Sequence, residues 1–365
     1  MAKAATAVYA LTQQGAITAE KIARSMDVDL FVPRSLSVKT AKPFGSLRAL
    51  VGKTFVSYRQ HIFIAAAGVA VRCIAPHIKD KSIDPAVVAL DHYGKRVISL
   101  LSGHLGGANN LAREVAAITG GEAVITTATD TEKLPSLDIL ALEFNLAIAN
   151  IKAVAKVNGA LIAGKPVIVD DAYNHLQLRH SAWKDLFVFT HTPAYRSLCA
   201  EEKESLARVT VTPHFGSPSD TNLVLHPKVL HVGIGCRRGA RAEEILNLIG
   251  LSLEQLEFSP SSLAGLASAD VKQHEPGILD AAKELELPVR FFSVKELDTV
   301  PVTSPSPKAR EMFGIDGVCE PAAMLAAGLA AGENAQLRLP KLAQKGVTIA
   351  IAQETSSLCN LAAAN

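Results

Sequence analysis

Closely spaced cysteines are absent from this sequence. Its five cysteines, Cys73, Cys199, Cys236, Cys319 and Cys359, form no C-x-x-C pair. This spacing argues against a zinc site and against a disulfide framework. An odd number of scattered thiols is instead typical of proteins of the reducing cytosol.

Long hydrophobic runs are absent as well. The longest apolar run covers residues 62–71, which is too short to cross a bilayer. The first residues, MAKAATAVYALTQQG, lack the apolar stretch and cleavage site of a secretory signal. We therefore predict a cytoplasmic protein without membrane contact.

A strong excess of one charge is also lacking. The formal net charge is +2 over 365 residues, which gives no reason to expect nucleic-acid binding. The charge is uneven, however, because residues 45–115 carry nine Lys or Arg against four Asp or Glu. This local excess would suit an anionic ligand, and a solvated basic face is the alternative.

The residues that are present can build a large core, since 48% of them are hydrophobic. Strand-like and helix-like segments alternate along most of the chain, which predicts an α/β fold of mostly parallel sheets covered by helices. We place three α/β domains at residues 1–142, 143–226 and 227–365. In the first, two strand-like segments flank the turn HYGK (residues 92–95) and predict a hairpin or a strand pair.

The stretch SGHLGGANNLA (residues 102–112) carries the first candidate site. Gly103, Gly106 and Gly107 permit close approach of a ligand to the backbone. Free N–H groups at the start of the following helix would form an anion site or an oxyanion hole. Asn109 or Asn110 would cap that helix, and Asn109 is also predicted to bind substrate directly. Histidine side chains titrate near neutral pH, so His104 is our candidate general base. Ser102, two residues earlier, is a further candidate catalytic residue. The alternative is a tight turn whose histidine bonds a backbone carbonyl.

A second cluster is the strand end VITTATD (residues 124–130). In a doubly wound sheet, strand ends line the ligand crevice, so Thr126, Thr127 and Thr129 are predicted to bind substrate and Asp130 to act in catalysis. The alternative is that Thr129 and Asp130 cap a turn.

A third cluster lies in residues 65–88. Gly68 would allow a sharp turn from strand to helix, and Arg72 could bind a carboxylate with two hydrogen bonds. Lys81 adds a positive charge, and Asp84 is a second acid or a turn residue. We predict that these four residues bind the same substrate as the SGHLGG loop. For Arg72, a structural ion pair is the alternative.

The segment VGIGCRRGA (residues 232–240) has the spacing G-x-G-x-x-x-G, one residue longer than the dinucleotide-binding fingerprint. Cys236 would lie at a helix start, where the pKa of a thiol can fall, but a packed cysteine is the more common case.

Together these motifs resemble the cobalt-precorrin-5A hydrolases (CbiG) of anaerobic cobalamin biosynthesis, a family with N-terminal, middle and C-terminal domains. The matching stretches are GVAVR (68–72), KSIDPAVV (81–88), SLLSGHLGGAN (99–109), VITTATD (124–130), VGIGCRRG (232–239), LASADVKQHEPG (266–277) and GVCEPAAMLAAG (317–328). The resemblance implies that a δ-lactone on a cobalt-bound macrocycle is hydrolysed and that its two-carbon fragment leaves as acetaldehyde, which gives cobalt-precorrin-5B.

For such a reaction we assign His104 as the base, the amides of Gly106 and Gly107 as oxyanion donors, and Asp130 as the group that orients His104 or handles a proton. The cobalt arrives inside the substrate, so no cofactor and no protein metal site are expected. A homo-oligomer and contacts with other cobalamin-pathway enzymes are left open. The alternatives are a non-catalytic tetrapyrrole carrier and an oxidoreductase that uses GIGCRRG for a dinucleotide.

Overall fold

The computed structural model describes residues 5–80, 83–331 and 335–355. The chain separates into two units, residues 1–140 and 141–365. The described residues contain three sheets, of seven, five and five strands, one in the first unit and two in the second. Each sheet is mainly parallel or mixed and is accompanied by helices, which confirms the predicted fold class and its three-part order.

The first unit contains the seven-stranded sheet. Its strands are β1 (Thr6–Ala10), β2 (Val28–Pro33), β3 (Lys42–Phe44), β4 (Gln60–Ile64), β5 (Ala86–Leu90), β6 (Arg96–Leu101) and β7 (Glu122–Val124). The helices that begin in this unit are α1 (Gln13–Ala23), α2 (Leu47–Thr54), α3 (Ala67–Ile74), α4 (Ala108–Thr119), α5 (Ala128–Thr131) and α6 (Leu137–Glu143).

One strand pairing decides where the loops of this sheet lie. The strand order is β3-β2-β1-β4-β5-β6-β7, and every neighbouring pair is parallel except β5 and β6. The predicted hairpin around HYGK is therefore confirmed. Because β6 and β7 run opposite to β4 and β5, the residues that follow β6 and β7 lie at the same edge as the residues that precede β4 and β5.

Both faces of this sheet are buried. Val8, Ile62 and Val88 share one apolar cluster with residues of α1 and α4. The neighbouring residues Tyr9 and Phe63 belong to a second cluster with residues of α2 and α3. Side chains alternate between the faces of a strand, so a sheet with helices on both sides requires strands that are apolar throughout.

A polar network is buried within the second of these clusters. The hydroxyl of Tyr9 lies 3.0 Å from Nδ1 of His61 and 2.7 Å from Oγ1 of Thr54, and Nε2 of His61 lies 3.1 Å from the carbonyl oxygen of Phe55. An Nε2–H donor to Phe55 and an Nδ1 acceptor satisfy the neutral ring. Burial lowers the pKa of His61 to about 4.

The buried neutral state of His61 predicts an acid-sensitive first unit. Its pKa is lower in the folded than in the unfolded chain, so the stabilisation is complete above about pH 6.5 and is lost as the pH falls from there toward 4. Complete loss of this stabilisation would lower the free energy of unfolding by about 3 kcal/mol. Urea unfolding of the wild type and of His61→Gln between pH 4 and 7 checks this. The variant should lack this slope, and an equal slope in both would contradict the assignment.

The second unit contains the other two sheets. The strands of the first are β8 (Leu146–Ile148), β9 (Val167–Asp170), β10 (Phe187–Phe189), β11 (Arg208–Val211) and β12 (Asn222–Pro227), with helices α7 (Ile151–Ile162), α8 (Pro193–Ser197) and α9 (Ala200–Ser205). The strands of the last are β13 (Leu230–Cys236), β14 (Leu263–Ala269), β15 (Val289–Phe292), β16 (Ala335–Gln344) and β17 (Val347–Glu354), with helices α10 (Ala242–Gln255), α11 (Pro276–Glu284), α12 (Val294–Leu297), α13 (Pro307–Phe313) and α14 (Cys319–Ala331).

Their strand orders are β10-β9-β11-β12-β8 and β15-β14-β13-β17-β16, in which β8, β16 and β17 pair antiparallel. The exact domain boundaries that we derived from the sequence stay a prediction. Within the described part of the chain, no helix is both long enough and apolar enough to cross a membrane.

Candidate active site

Residues 102–107 connect β6 to α4 in a tight loop. The amides of Ala108 and Asn109 donate to the carbonyl oxygens of Ser102 and Gly103, at 3.0 Å in both cases. Ser102 has a φ of 56°, and its Oγ is buried without a hydrogen-bond partner among the described residues. A non-glycine residue in the left-handed region and an unsatisfied hydroxyl are strained features of the kind that functional loops tolerate.

The glycines of this loop have different roles. Gly107 is the N-cap of α4 with a φ of 83° and no side-chain cap, so the prediction that Asn109 or Asn110 caps this helix is wrong. A Cβ on Gly106 would lie 2.3 Å from Cβ of Ser102 and 2.9 Å from its carbonyl oxygen. A Cβ on Gly103 would lie 2.8 Å from Oδ1 of Asn109. Gly106 thus allows the loop to close on itself.

Only one of the two predicted oxyanion donors remains available. The amide of Gly107 donates to the carbonyl oxygen of His104 at 2.8 Å. This corrects our prediction that the Gly107 amide serves a ligand. Among the described residues, the Gly106 N–H has no hydrogen-bond acceptor.

The side chain of His104 contacts those of Thr129, Ser136 and Asp138 among the residues that the structure describes. Its Nε2 lies 3.2 Å from Oγ1 of Thr129, and its Nδ1 lies 3.1 Å from Oγ of Ser136 and 3.4 Å from Oδ2 of Asp138. The hydroxyl of Ser136 donates to Oδ1 of Asp138 at 2.5 Å. The side chain of His104 is 18% exposed and that of Asp138 is 6% exposed, so a buried carboxylate supports a partly accessible imidazole.

The available protons fix the tautomer of His104. Ser136 has one proton and gives it to Asp138, so its oxygen can only accept from Nδ1. Nδ1–H therefore points to Ser136 and Asp138. Nε2 is unprotonated and accepts a hydrogen bond from the Thr129 hydroxyl. A carboxylate that holds Nδ1–H leaves the other nitrogen as the base, which is the arrangement of a general-base histidine.

The strand end VITTATD converges with this loop, as predicted. Besides the contact of Thr129 with His104, the buried Asn109 donates from Nδ2 to Oγ1 of Thr127 at 2.9 Å and accepts from Ser99 at 2.6 Å. Asn109 therefore joins β6, α4 and the threonine-rich loop, and this positioning role differs from the direct substrate contact that we predicted. Thr126 is exposed.

The carboxylate that contacts His104 is Asp138, which the sequence analysis missed together with Ser136. The side chain of Asp130, our candidate for this role, lies outside the described residues, and so does Lys81. Ser136 and Asp138 follow the VITTATD motif closely and stand at the start of a helix, a position that does not by itself indicate a contact with His104.

A basic groove runs along the same edge of the sheet. It has a volume of about 520 Å³ and includes Leu105 and Gly106, the two residues that follow His104. Its other side is formed by residues 55–59, which precede β4, and by five residues that precede β5, namely His77, Lys79, Ile83, Asp84 and Pro85. Arg59, His77 and Lys79 supply its basic groups. Arg59 and His77 were not predicted, although Arg59 contributes to the charge excess of this region.

The third predicted cluster is divided by the sheet. Asp84 lies in the groove wall, but its buried carboxylate accepts the amide of Lys79 at 3.0 and 3.1 Å, so it shapes the loop. Gly68 lies in the first turn of α3, after β4, and thus at the opposite edge from His104. Its φ is not positive, so the sharp turn does not depend on it. Arg72 is exposed on the same helix and, among the described residues, forms no ion pair.

The two glycines at the end of the loop predict unequal effects. Gly106→Ala forces Cβ into Ser102, so the loop must shift, and we expect kcat/KM to fall about 100-fold or more because misplacement by about 1 Å is that costly. Gly107→Ala meets no atom within 4 Å and costs only the left-handed conformation, about 1–2 kcal/mol of stability. Steady-state kinetics and urea unfolding of both variants check this. Equal kinetic losses would contradict the steric argument.

An α/β fold in which the loop after a strand holds a histidine against a buried carboxylate, beside a basic groove, is typical of enzymes that act on anionic substrates. The chain belongs to the cobalamin synthesis G (CbiG) family. Three family models match it: the cobalamin synthesis G N-terminal model over residues 49–130, the cobalamin biosynthesis central region over residues 135–227, and the cobalamin synthesis G C-terminus over residues 230–352.

Similar proteins carry consistent names. The chain is 35% identical over 319 residues to the cobalt-precorrin-5A hydrolase of Priestia megaterium, with 84% of this chain and 82% of that protein covered. It is 32% identical over 356 residues to the cobalt-precorrin-5A hydrolase of Salmonella typhimurium, with 94% and 96% covered. A solved structure of a cobalamin biosynthesis protein G homolog from Sulfolobus solfataricus aligns with 96% of this chain and 97% of its own at 21% identity and a TM-score of 0.37.

Proposed function

We propose that this protein is a cobalt-precorrin-5A hydrolase, which opens the δ-lactone of its cobalt corrinoid substrate and releases acetaldehyde to give cobalt-precorrin-5B. Two relatives that match most of the chain carry this name. The observation that supports the catalytic assignment is the chain of contacts from the carboxylate of Asp138 to Nδ1 of His104 and from Nε2 to the Thr129 hydroxyl.

Lactone opening transfers an acyl group to water. In the proposed first step, the Thr129 hydroxyl turns away from Nε2 of His104, and Nε2 takes a proton from a water molecule while the water oxygen attacks the lactone carbonyl. The Gly106 N–H stabilises the negative charge that develops on the carbonyl oxygen. The ring C–O bond then breaks, and the departing oxygen receives the proton from the imidazolium. The products are a carboxylic acid, which then releases its proton to solvent, and a hydroxyl group on the two-carbon fragment.

Acetaldehyde release completes the reaction. The new hydroxyl loses its proton, its oxygen forms the aldehyde carbonyl, and the bond between the fragment and the macrocycle breaks. The electron pair of that bond passes to the macrocycle, where a proton is added. His104 is the group that we assign to remove the hydroxyl proton, since it is neutral again after the first step.

The groove provides a binding surface for the substrate's acetate and propionate arms. Arg59 and Lys79 line it next to Gly106, and charged donors bind carboxylates more strongly than neutral donors do. Ser102 and Gly103 belong to the loop that contains Gly106, and Thr126 and Thr127 belong to the threonine-rich segment that meets this loop. These four residues complete the proposed site.

The double variant Arg59→Gln/Lys79→Gln should raise KM about tenfold or more and change kcat little, because these residues bind groups remote from the reacting carbonyl. The matched control is Arg34→Gln/Lys39→Gln, which removes the same charge from exposed residues outside the groove. Steady-state kinetics of the two double variants check the prediction. An unchanged KM in the groove variant would exclude the groove as the substrate site.

The decisive experiment incubates the purified chain with cobalt-precorrin-5A and measures acetaldehyde through its reduction by NADH and alcohol dehydrogenase. A hydrolase releases acetaldehyde repeatedly and in proportion to enzyme concentration. A tetrapyrrole carrier, the competing hypothesis, binds the corrinoid without releasing aldehyde, and that outcome would refute the proposal.

The remaining parts of the proposal follow from this chemistry. Hydrolysis consumes only water, so we propose that the protein needs no cofactor and that the cobalt enters as part of the substrate. We place the reaction in the cytoplasm, because the five scattered cysteines fit a reducing compartment. A homo-oligomer or contact with other cobalamin-pathway enzymes would be compatible with it.

A further inference from the structure

The last sheet contains a second pocket, separate from the histidine site in sequence and in fold. It has a volume of about 280 Å³ and lies where β13 ends in the GIGCRRG motif. Its apolar wall includes Met312, Phe313 and Val318. Five cations line the same pocket: Arg237, Arg238, Lys272, Lys308 and Lys341.

Three of these cations are already engaged within the protein. Arg237 binds both carboxylate oxygens of Glu244, at 3.1 Å from Nη2. Lys272 pairs with Glu275 at 3.0 Å. Lys341 donates to two backbone carbonyl oxygens at 2.9 and 3.0 Å.

The other two cations have no such partner. Arg238 and Lys308 are exposed and form no hydrogen bond or ion pair within the described residues. Two unpaired cations beside an apolar wall are complementary to a molecule with an apolar body and more than one carboxylate.

Buried carboxylates hold the walls in place. Glu275 is 8% exposed and accepts the Gly239 amide at 2.6 Å, which fixes the loop that carries Arg238. Glu320 is 1% exposed and accepts the amides of Thr303 and Lys341 at 2.6 and 2.8 Å, which fixes the loop before α13. Both walls are therefore preorganised without a ligand.

We propose that this pocket binds carboxylate arms of the corrinoid, with Arg238 and Lys308 as the charged contacts and the Met312–Phe313 wall against the macrocycle edge. The inference rests on the proposed function for the identity of the ligand. At about 280 Å³ the pocket is at the lower end of the volumes of small-molecule sites, so it holds a part of the macrocycle and its arms.

Cys236 gives a local readout, because it is half-buried and lines this pocket. Burial raises the pKa of its thiol, and Lys272 opposes this only in part, so alkylation by iodoacetamide is followed at pH 9 by peptide mass spectrometry. Cys199 is exposed and outside the pocket, and it serves as the internal control. The probes are dicyanocobyrinic acid, its heptamethyl ester and NADPH.

The acid should slow alkylation of Cys236 about fivefold or more, because a bound ligand excludes the reagent, and it should leave Cys199 unchanged. The ester, which lacks the charges, should not protect.

Arg238→Gln/Lys308→Gln should raise the acid concentration that gives half-maximal protection about tenfold or more. The control variant Lys283→Gln/Lys295→Gln should leave this concentration unchanged. Equal protection by the ester or by NADPH, or no effect of the pocket variant, would overturn the proposal. Failure of the proposed function is a different result, namely no acetaldehyde from cobalt-precorrin-5A.

Discussion

His104→Ala should lower kcat for acetaldehyde release by about 10³-fold or more, because removal of a general base eliminates typically 10²–10⁴-fold of the rate. Corrinoid affinity should change little, since the carboxylate-binding groups of the groove are unchanged. Time courses of acetaldehyde formation give kcat, and the change in corrinoid absorbance on binding gives the affinity.

The matched control is His92→Ala, which removes an exposed imidazole from the same unit. That variant should keep wild-type kinetics. Near-normal kcat in His104→Ala would remove His104 from the mechanism, whereas loss of both binding and turnover would indicate that the loop had lost its structure.

The second large effect is expected for Asp138→Asn. An amide nitrogen that faces Nδ1 would donate to it, so the ring proton would move to Nε2 and block the base. We expect kcat to fall about 10²–10⁴-fold with little change in KM, since the wrong tautomer affects proton transfer more than binding.

Ser136→Ala provides the comparison for this result. It removes the hydroxyl between the ring and the carboxylate but leaves Oδ2 of Asp138 3.4 Å from Nδ1, so a loss of about tenfold is expected for one hydrogen bond. If both substitutions had equally small effects, the carboxylate would not control the tautomer. Circular dichroism and urea unfolding separate a kinetic effect from a loss of folding.

The sequence was most informative where function depends on short stretches of chain. The glycine-rich loop after an apolar strand placed His104 correctly at a strand end, and the threonine-rich segment was correctly predicted to meet it. Both inferences rest on local patterns, because the ends of neighbouring strands that run in the same direction share one edge of a sheet.

Predictions that depend on chain direction across the sheet were less successful. We grouped Gly68 and Arg72 with the His104 loop, but β5 and β6 are antiparallel, so β4 ends at the edge opposite to that loop. The sequence indicated the hairpin at HYGK, but it did not show that this hairpin places the end of β4 opposite to the His104 loop. Arg59 and His77, which precede β4 and β5, line the groove for the same reason.

Asp138 was missed because its partner is distant along the chain. The Ser136–Asp138 segment has no pattern that distinguishes it from an ordinary helix start, and only the folded chain brings its carboxylate to Nδ1 of His104. A hydrogen-bond partner across more than thirty residues is a property of tertiary structure and cannot be derived from local sequence.

Both polar ends of the Asn109 amide are occupied, one by Ser99 and the other by Thr127. This single side chain therefore couples the two catalytic loops mechanically. Breaking either bond leaves a buried amide unsatisfied, so local opening of one loop requires opening of the other. Fluctuations that expose the imidazole should thus be cooperative. The hydrogen-bonded amides of Ala108 and Asn109, and that of Leu134, which donates to the carbonyl oxygen of Thr129, should exchange with deuterium at a common rate.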